Sequence, residues 1–227
     1  MAGRYDVVAF DLYGTLFAIE RLLDLLLPIL GDDAVALLPR WRKAQLERTW
    51  ELNRRGEYEP FGIVTAVALA QVAPHLSPGI IERACQAWLT VPAHADAITA
   101  LTQLRAARVR CAVLSNGTAA MIRSALEAAR LPIDEVRSVD EVRVYKPDPR
   151  VYALLDTMAP RERTLFVSSN GWDVDGCKRS GRTVAYVDRG GAPPTQAPDV
   201  RVASLTDLTA HVTGGFGGAP SPAGRTA

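Results

Sequence analysis

Four groups of polar residues are spaced along the chain so that their side chains could together support a nucleophilic reaction. Asp11 follows the apolar run Val7–Phe10 and precedes a turn at Gly14. A carboxylate at the end of a buried strand, next to a glycine turn, is placed to act as a nucleophile. The residue two positions later is Tyr13, which offers a ring and a phenol but no carboxylic acid to protonate a leaving group.

The other three groups lie near the ends of later apolar runs or before a helical pattern. They are Ser115 with Asn116, Lys146 within residues 144–148, and the polar segment Ser168–Asp173. A Ser or Asn at a strand end is commonly only a helix cap, and a single Lys is commonly a surface residue. Four such groups in this order are much harder to explain as caps. We therefore expect them to meet at one edge of a sheet.

Short apolar runs alternate with helical patterns and predict the elements that position these groups. The predicted strands are Val7–Phe10, Arg110–Leu114, Glu135–Val139, Thr164–Val167 and Thr183–Val187. The predicted helices between them are Ala95–Ala107, Ala119–Ala129, Pro149–Thr157 and Val174–Ser180. This alternation predicts the α/β class, with a Rossmann-like, doubly wound parallel sheet.

One stretch, from Phe17 to Thr90, breaks the alternation and contains no convincing strand. It predicts helices near Glu20–Leu30, Asp33–Arg54, Pro60–Ala73 and Pro78–Leu89. We expect residues 1–16 and 92–212 to form the core and residues 17–91 an inserted helical cap domain. The cap would close over the carboxyl ends of the strands, where open α/β sheets bind ligands. The Gly- and Pro-rich residues 213–227 are predicted to be a disordered tail.

Composition excludes several functional classes. The net charge is only +1 with acids and bases mixed, so nothing favours nucleic acid or an anionic membrane as a partner. The three Cys and three His residues are scattered, which argues against a Cys/His metal site. There is no signal-peptide pattern, and the apolar run Leu22–Leu30 is too short to span a bilayer. We expect a soluble cytoplasmic protein.

The order of the four polar groups resembles the haloacid dehalogenase superfamily over about residues 5–190. The resemblance implies that Asp11 is the nucleophile, with Ser115, Lys146 and Asp173 as the other three motif residues. Most members are magnesium-dependent phosphatases that carry a second Asp two residues after the nucleophile and a further metal-binding Asp in the fourth motif. Here Tyr13 and Ser169 stand at those positions. Phosphoryl transfer needs its charge neutralised, so both changes disfavour a phosphatase.

Both departures are similar to the L-2-haloacid dehalogenase branch of that superfamily. The matching segments are Asp11–Leu16, Trp41–Trp50, Lys146–Tyr152 and Ser168–Asp173. The resemblance implies hydrolysis of short-chain L-2-haloalkanoic acids to D-2-hydroxy acids and halide, through an aspartyl ester and with inversion at C2. It implies no metal and no cofactor. A halide is a weak base that leaves without a proton, so the missing acid costs nothing.

Residue chemistry and the resemblance together give the candidate site. The catalytic candidates are Asp11, Thr15, Arg42, Ser115, Lys146, Tyr152, Ser168, Asn170 and Asp173. The candidates for substrate binding are Leu12, Tyr13, Arg42, Leu46, Phe61, Ser115, Asn116 and Trp172. Arg42 would receive the halide, and Leu46, four residues later, shares its helix face. Arg42 could instead lie on a solvated helix face, and Phe61 and Trp172 could serve packing alone.

Two alternative functions stay open from the sequence: another hydrolase of the superfamily, such as a magnesium-dependent phosphatase, and a non-catalytic protein that binds a small acid. The joint presence of the four motif residues speaks against the second. The expected partners are a 2-haloacid and a halide ion, with no nucleic acid and no membrane. The branch often dimerises, and Leu22–Leu30 could serve a homodimer interface or equally the cap core. The role of Asp175 is left open.

Overall fold

A single six-stranded parallel sheet organises the protein in the computed structural model, which describes residues 4–214. The strands lie in the order β3-β2-β1-β4-β5-β6. Their bounds are β1 Val7–Phe10, β2 Arg110–Ser115, β3 Glu135–Ser138, β4 Thr164–Ser168, β5 Val184–Val187 and β6 Val200–Val202. All four residues of β1 are fully buried because helices cover both faces of the sheet, as expected of a central parallel strand.

Nine α-helices accompany the sheet within these residues. Four form the helical insertion: α1 Leu22–Leu30, α2 Asp33–Arg55, α3 Phe61–Val72 and α4 Pro78–Ala87. A fifth, α5 Ala97–Ala106, leads into β2, and four follow β2: α6 Ala119–Ala128, α7 Pro149–Ala153, α8 Gly171–Arg179 and α9 Leu205–Thr213. The fold is therefore the predicted one, a Rossmann-like parallel sheet with a helical insertion (α1–α4) between the first two strands.

The helical insertion contacts the carboxyl edge of the sheet. Asn53 at the end of α2 bonds both backbone groups of Tyr145, donating to the carbonyl at 2.7 Å and accepting from the N–H at 2.9 Å. Tyr58 donates to the Asp140 carboxylate, which also accepts the first amide of α6. These contacts fix the insertion against the segment that leads to Lys146. The predicted domain boundaries at residues 17 and 91 stay a prediction.

Several boundaries differ from the sequence expectation. β6 and α9 were not predicted, although Ser204 caps α9 by accepting from the Asp207 amide. The predicted start of α8 at Val174 is wrong: the helix begins at Gly171, so Asp173 lies in its first turn and not at a strand end. Thr213, where the predicted tail begins, is the last residue of α9, and residues 215–227 of that prediction lie outside the described residues. No helix within residues 4–214 is long and apolar enough to cross a membrane.

Candidate active site

Asp11 follows β1 at the carboxyl edge of the sheet, and its two carboxylate oxygens have different partners. Its backbone N–H donates to the carbonyl of Val167 at 2.8 Å, which continues the β1–β4 ladder by one residue. Oδ1 accepts from Lys146 at 3.0 Å. Oδ2 accepts from Thr15 at 3.1 Å and from Asn170 at 2.8 Å. Asp11 is 7% exposed, so these three donors replace most of the water that an ionised carboxylate requires.

Lys146 joins two carboxylates. Its ammonium lies 3.0 Å from Asp11 Oδ1 and 2.9 Å from Asp173 Oδ2, and its side chain is almost wholly buried. Burial alone would lower the pKa of Lys146, but the charges and hydrogen bonds of Asp11 and Asp173 outweigh it and raise that pKa. The lysine is therefore a fixed cation at the end of β1. From the sequence we expected these groups to meet at one edge of the sheet, and the bridge is how they meet.

Asp173 is held from both sides. Tyr152 on α7 donates its hydroxyl to Asp173 Oδ1 at 2.6 Å, while Lys146 holds Oδ2. Burial raises the pKa of Asp173, against the opposing effect of Lys146. The approach of α8 to α7 requires Gly176, because an added Cβ would lie 2.5 Å from the Tyr152 hydroxyl. Asp173 is consequently a buried carboxylate in a rigid setting, of the kind that can take up a proton.

The turn after β1 is tied to the loop after β4. Gly14 has a φ of 93°, which only glycine adopts without strain, and its carbonyl accepts the Ser169 hydroxyl at 2.6 Å. Thr15 Oγ1 accepts the Ser169 amide at 2.9 Å and donates to Asp11. Asn170 bridges Asp11 and the Tyr13 carbonyl. Ser169, which the sequence singled out only because it replaces the metal-binding Asp of phosphatases, thus helps to fix the turn.

Tyr13 is turned away from proton-transfer chemistry. Its hydroxyl donates to the backbone carbonyl of Trp88 at 2.9 Å, at the end of the helical insertion. The residue is 4% exposed, and burial raises its pKa far above the usual value for tyrosine. Its ring packs edge-on against the Trp88 indole, with centroids 5.2 Å apart. Tyr13 therefore contributes an apolar wall beside Asp11 and anchors the insertion.

Arg42 on α2 is directed towards the two acids. Burial lowers its pKa, while the charges of Asp11, Tyr13 and Asp173 act to raise it, which means that the guanidinium lies within electrostatic range of the site. It donates to Gln45 Oε1 at 2.6 Å and lies over the Trp88 ring, 5.8 Å from the centroid. Arg42 is therefore partly buried and bonded within the insertion, and its role as the halide acceptor stays a prediction.

Four further candidates for substrate binding, all with apolar side chains, have different surroundings. Leu12 is fully buried in the main core, and its carbonyl accepts the amides that close the turn after β1. Leu46 is half-buried on α2. Trp172 is half-buried and packs edge-on against Trp50 of the insertion, with centroids 6.0 Å apart. Phe61 is buried and packs against Tyr145, and a contact of Phe61 with substrate stays a prediction.

The polar residues after β2 and β4 also organise their loops. Ser115 Oγ accepts the Gly117 amide at 3.1 Å, and Asn116 Oδ1 accepts the backbone N–H of Lys146 at 3.0 Å. Ser168 is wholly buried and accepts the Asn170 amide at 3.1 Å. The structure thus brings most of the predicted catalytic residues to one edge of the sheet, as expected of a parallel arrangement.

Four contributors to this site had no role assigned from the sequence: Gln45, Thr65, Trp88 and Gly176. Gln45 lies within the matched segment Trp41–Trp50 and bonds Arg42 three residues away, and its other partner is Thr65 on α3. Trp88 and Gly176 act through contacts between distant segments, which leave no local pattern. Asp175, whose role was open, accepts the amides of Thr195 and Gln196 and so anchors the Gly- and Pro-rich loop after β5.

The donor set does not fit a magnesium ion. The carboxylates of Asp11 and Asp173 are both occupied by the Lys146 ammonium, and the Ser169 hydroxyl bonds a backbone carbonyl. Magnesium requires a set of oxygen ligands with several waters and carboxylates. No cluster of three or more His, Cys, Asp or Glu side chains suited to a metal occurs in the described part of the chain.

Comparison with known proteins gives consistent matches. The family model described as haloacid dehalogenase-like hydrolase matches residues 5–181. The (S)-2-haloacid dehalogenase H-109 of Pseudomonas putida is 37% identical over 193 residues, covering 82% of this chain and 86% of that protein. The (S)-2-haloacid dehalogenase 4A of Burkholderia cepacia is 35% identical over 203 residues, covering 86% of this chain and 87% of that protein.

Solved structures of L-2-haloacid dehalogenases also match the fold of this chain. The L-2-haloacid dehalogenase of Xanthobacter autotrophicus, with chloropropionic acid covalently bound, superposes with a TM-score of 0.87 at 31% identity. The match covers 92% of this chain and 99% of that one. The L-2-haloacid dehalogenase RSc1362 superposes with a TM-score of 0.86 at 31% identity, covering 92% of this chain and 98% of that one.

Proposed function

The chain belongs to the haloacid dehalogenase-like hydrolase family, and to its L-2-haloacid dehalogenase branch, and we propose that it hydrolyses short-chain L-2-haloalkanoic acids. The products are a D-2-hydroxy acid and a halide ion. The relatives named (S)-2-haloacid dehalogenase, at 32–37% identity over most of the chain, support this substrate class.

One observation carries the proposal: the nucleophile has a fixed cation but no acid beside it. Asp11 is paired with Lys146, whereas the only side chain at the position of a general acid is Tyr13, whose hydroxyl is committed to a backbone carbonyl. A leaving alkoxide or phosphate ester would require a proton. A halide requires none, so the reaction that fits is displacement of halide from carbon.

In the first step, a carboxylate oxygen of Asp11 attacks C2 of the substrate from the side opposite the halogen. The new carbon–oxygen bond forms as the carbon–halogen bond breaks, the halide takes the bonding electrons, and C2 inverts. Arg42 faces the departing anion, and Leu46, Tyr13 and Trp172 line the apolar part of the site. Ser115, Asn116 and the backbone N–H groups of Leu12 and Tyr13 are donors for the substrate carboxylate, since the amides of residues 14–17 bond backbone carbonyls within the turn.

In the second step, water attacks the carbonyl carbon of the Asp11 ester. The acyl–oxygen bond breaks, which releases the D-2-hydroxy acid without touching C2 again and regenerates the Asp11 carboxylate. Asp173 takes one proton from the attacking water, helped by the burial that raises its pKa, and returns it to the departing alkoxide oxygen of the hydroxy acid. The second proton of the water passes to solvent as the Asp11 carboxylate forms again. Thr15, Ser168 and Asn170 hold Asp11 and the water in position, and Lys146 and Tyr152 hold Asp173. The covalent chloropropionic acid of the Xanthobacter autotrophicus structure supports such an intermediate.

Release of halide from resolved substrates tests the proposal. Purified protein treated with chelator is given L- and D-2-chloropropionate separately, and chloride is measured with an ion-selective electrode. We expect chloride from the L-isomer alone and D-lactate as the product. The absence of chloride from both isomers would overturn the proposal.

The same preparation separates the two alternative functions. Turnover of p-nitrophenyl phosphate that depends on added magnesium would favour a phosphatase. Binding of 2-chloropropionate without any turnover would favour a non-catalytic protein.

The partners follow from this activity: a 2-haloacid substrate and a halide product. A homodimer is a further proposal, supported by α1, where Leu22 and Leu26 are fully buried but Leu27 is 39% exposed. Light scattering behind a sizing column tests it, since a monomer mass at micromolar concentration would contradict a stable dimer.

A further inference from the structure

Arg42 is held by a neutral side chain. Its Nη1 donates to Gln45 Oε1 at 2.6 Å, and within residues 4–214 no ion pair joins it to a carboxylate. Gln45 is fully buried, although glutamine is rarely buried without a specific polar partner. Most buried arginines are paired with an acid, which would cancel the charge locally. Here the guanidinium is fixed while its charge stays available for an incoming anion.

The orientation of the Gln45 amide is fixed by a chain of hydrogen bonds that begins in α3. The Phe61 carbonyl can only accept, so it takes the hydroxyl proton of Thr65 at 2.7 Å. Thr65 Oγ1, having given its one proton, accepts from Gln45 Nε2 at 2.8 Å. The amide oxygen of Gln45 therefore faces Arg42, which can only donate. Each of these hydrogen bonds therefore has only one possible donor.

We infer that Gln45 is a positioning residue that aims the Arg42 guanidinium at the leaving halide and keeps its charge free, with Thr65 fixing the direction of the amide. The inference rests on the proposed function. Trp88 is a second contact that holds the guanidinium, which lies over its ring at 5.8 Å from the centroid.

Variants of Gln45 separate positioning from packing. Gln45→Glu has the same shape but pairs its negative charge with Arg42 and has no N–H for Thr65. We expect kcat for L-2-chloropropionate to fall at least tenfold and the inhibition constant of chloride to rise at least tenfold, with KM changed less than threefold. Gln45→Leu leaves Arg42 charged but removes the hydrogen bond that orients it. Its kcat and its inhibition constant for chloride should lie between those of Gln45→Glu and the wild type.

Variants of Thr65 test the start of this chain of hydrogen bonds. Thr65→Val removes the hydroxyl at nearly constant volume and should weaken chloride inhibition about threefold, whereas Thr65→Ser keeps the hydroxyl and should restore it. The matched controls are Gln86→Glu on exposed α4 and Thr102→Val on α5, where the hydroxyl makes the same bond to the carbonyl four residues back, at 2.7 Å.

A second measurement does not depend on turnover. Chloride that binds the native protein raises its melting temperature, so the protein is titrated with chloride against gluconate at constant ionic strength. The wild type and both controls should show the rise, and Gln45→Glu should lose it. If the wild type released no halide, the proposed function would fall, while this titration would still decide the role of Gln45.

The result that overturns the inference is a folded Gln45→Glu protein with wild-type kcat and wild-type chloride response. A lower melting temperature in all Gln45 and Thr65 variants, with kcat and chloride inhibition unchanged, would likewise reduce Gln45 to a packing role between α2 and α3.

Discussion

Replacing Lys146 by Met removes the cation that joins the two buried acids and keeps a side chain of similar length. The ammonium lies 3.0 Å from Asp11 and 2.9 Å from Asp173, so the two carboxylate oxygens that it bonds are at most about 6 Å apart. With an effective dielectric constant of about 20, two negative charges at that distance repel by about 3 kcal/mol. Breaking a buried ion pair from one side typically costs about 3–5 kcal/mol.

Two results follow for Lys146→Met. The free energy of unfolding at neutral pH should fall by about 3–5 kcal/mol, measured by urea titration followed by circular dichroism. A repulsion of about 3 kcal/mol corresponds to about two pH units, so the acid limb of the kcat/KM profile should move up by about that amount. The reason is that one of the two carboxylic acids now binds a proton, and a protonated Asp11 cannot attack.

Lys178→Met is the matched control. Lys178 pairs with Asp199 at 2.8 Å at the edge of the sheet, where the pair is about one third exposed. An exposed pair of this kind contributes up to about 1 kcal/mol, and its loss should leave the pH profile unchanged. The reasoning would be refuted if Lys146→Met unfolded at the same urea concentration as the control and kept the wild-type acid limb.

Three further predictions concern other residues of the site and its supports. Tyr13→Phe loses the hydrogen bond to the Trp88 carbonyl, so the unfolding free energy should fall by about 1 kcal/mol and kcat should fall less than tenfold. A larger fall in the steady-state rate of halide release would mean that the phenol takes part in the chemistry. Gly176→Ala should displace the Tyr152 hydroxyl, lower kcat at least tenfold and lower the unfolding free energy by about 1–3 kcal/mol. The control is Gly79→Ala on α4, where an added methyl group meets open space and should have neither effect. Equal urea midpoints for the two variants would contradict this prediction. Although burial opposes it, hydrogen bonds from Gln196 and Thr195 lower the pKa of Asp175, so its stabilisation of that loop is present above about pH 4 and is lost as the pH falls below that value. Hydrogen exchange at the Thr195 amide should therefore accelerate in acid, and an Asp175→Asn variant should lack this pH dependence.

Local patterns predicted most of the sheet and the place of the candidate site at one of its edges. Strand β1 is an uninterrupted apolar run closed by Asp11, and its predicted bounds are those observed. The meeting of Asp11, Lys146 and Asp173 was expected from the parallel arrangement, which brings the carboxyl ends of the strands to one edge. Only Asp11 directly follows a strand, since Lys146 lies in the segment before α7 and Asp173 lies in the first turn of α8. Strand β6 was missed because it has only three residues and follows a Gly- and Pro-rich loop.

Contacts between the insertion and the sheet could not be predicted from local patterns. In the sequence, Asn53 is one more polar residue near the end of a helix, yet its side chain bonds Tyr145, 92 residues away. The partner of the Tyr13 hydroxyl is a backbone carbonyl at Trp88, and any residue type supplies a carbonyl. Gln45 lies within a recognisable motif, but its role depends on the direction of the Thr65 hydroxyl on another helix. Such pairings are set by helix packing and leave no spacing in the sequence.

A single turnover in heavy-oxygen water tests the central claim, that Asp11 is the nucleophile that forms the ester. Excess enzyme is mixed with L-2-chloropropionate in labelled water, and both the lactate and the peptide containing Asp11 are weighed by mass spectrometry. We predict that the label enters the Asp11 carboxylate and that the lactate of the first turnover is unlabelled. Labelled lactate with an unlabelled Asp11 peptide would mean that water attacks C2 directly, which would contradict the account.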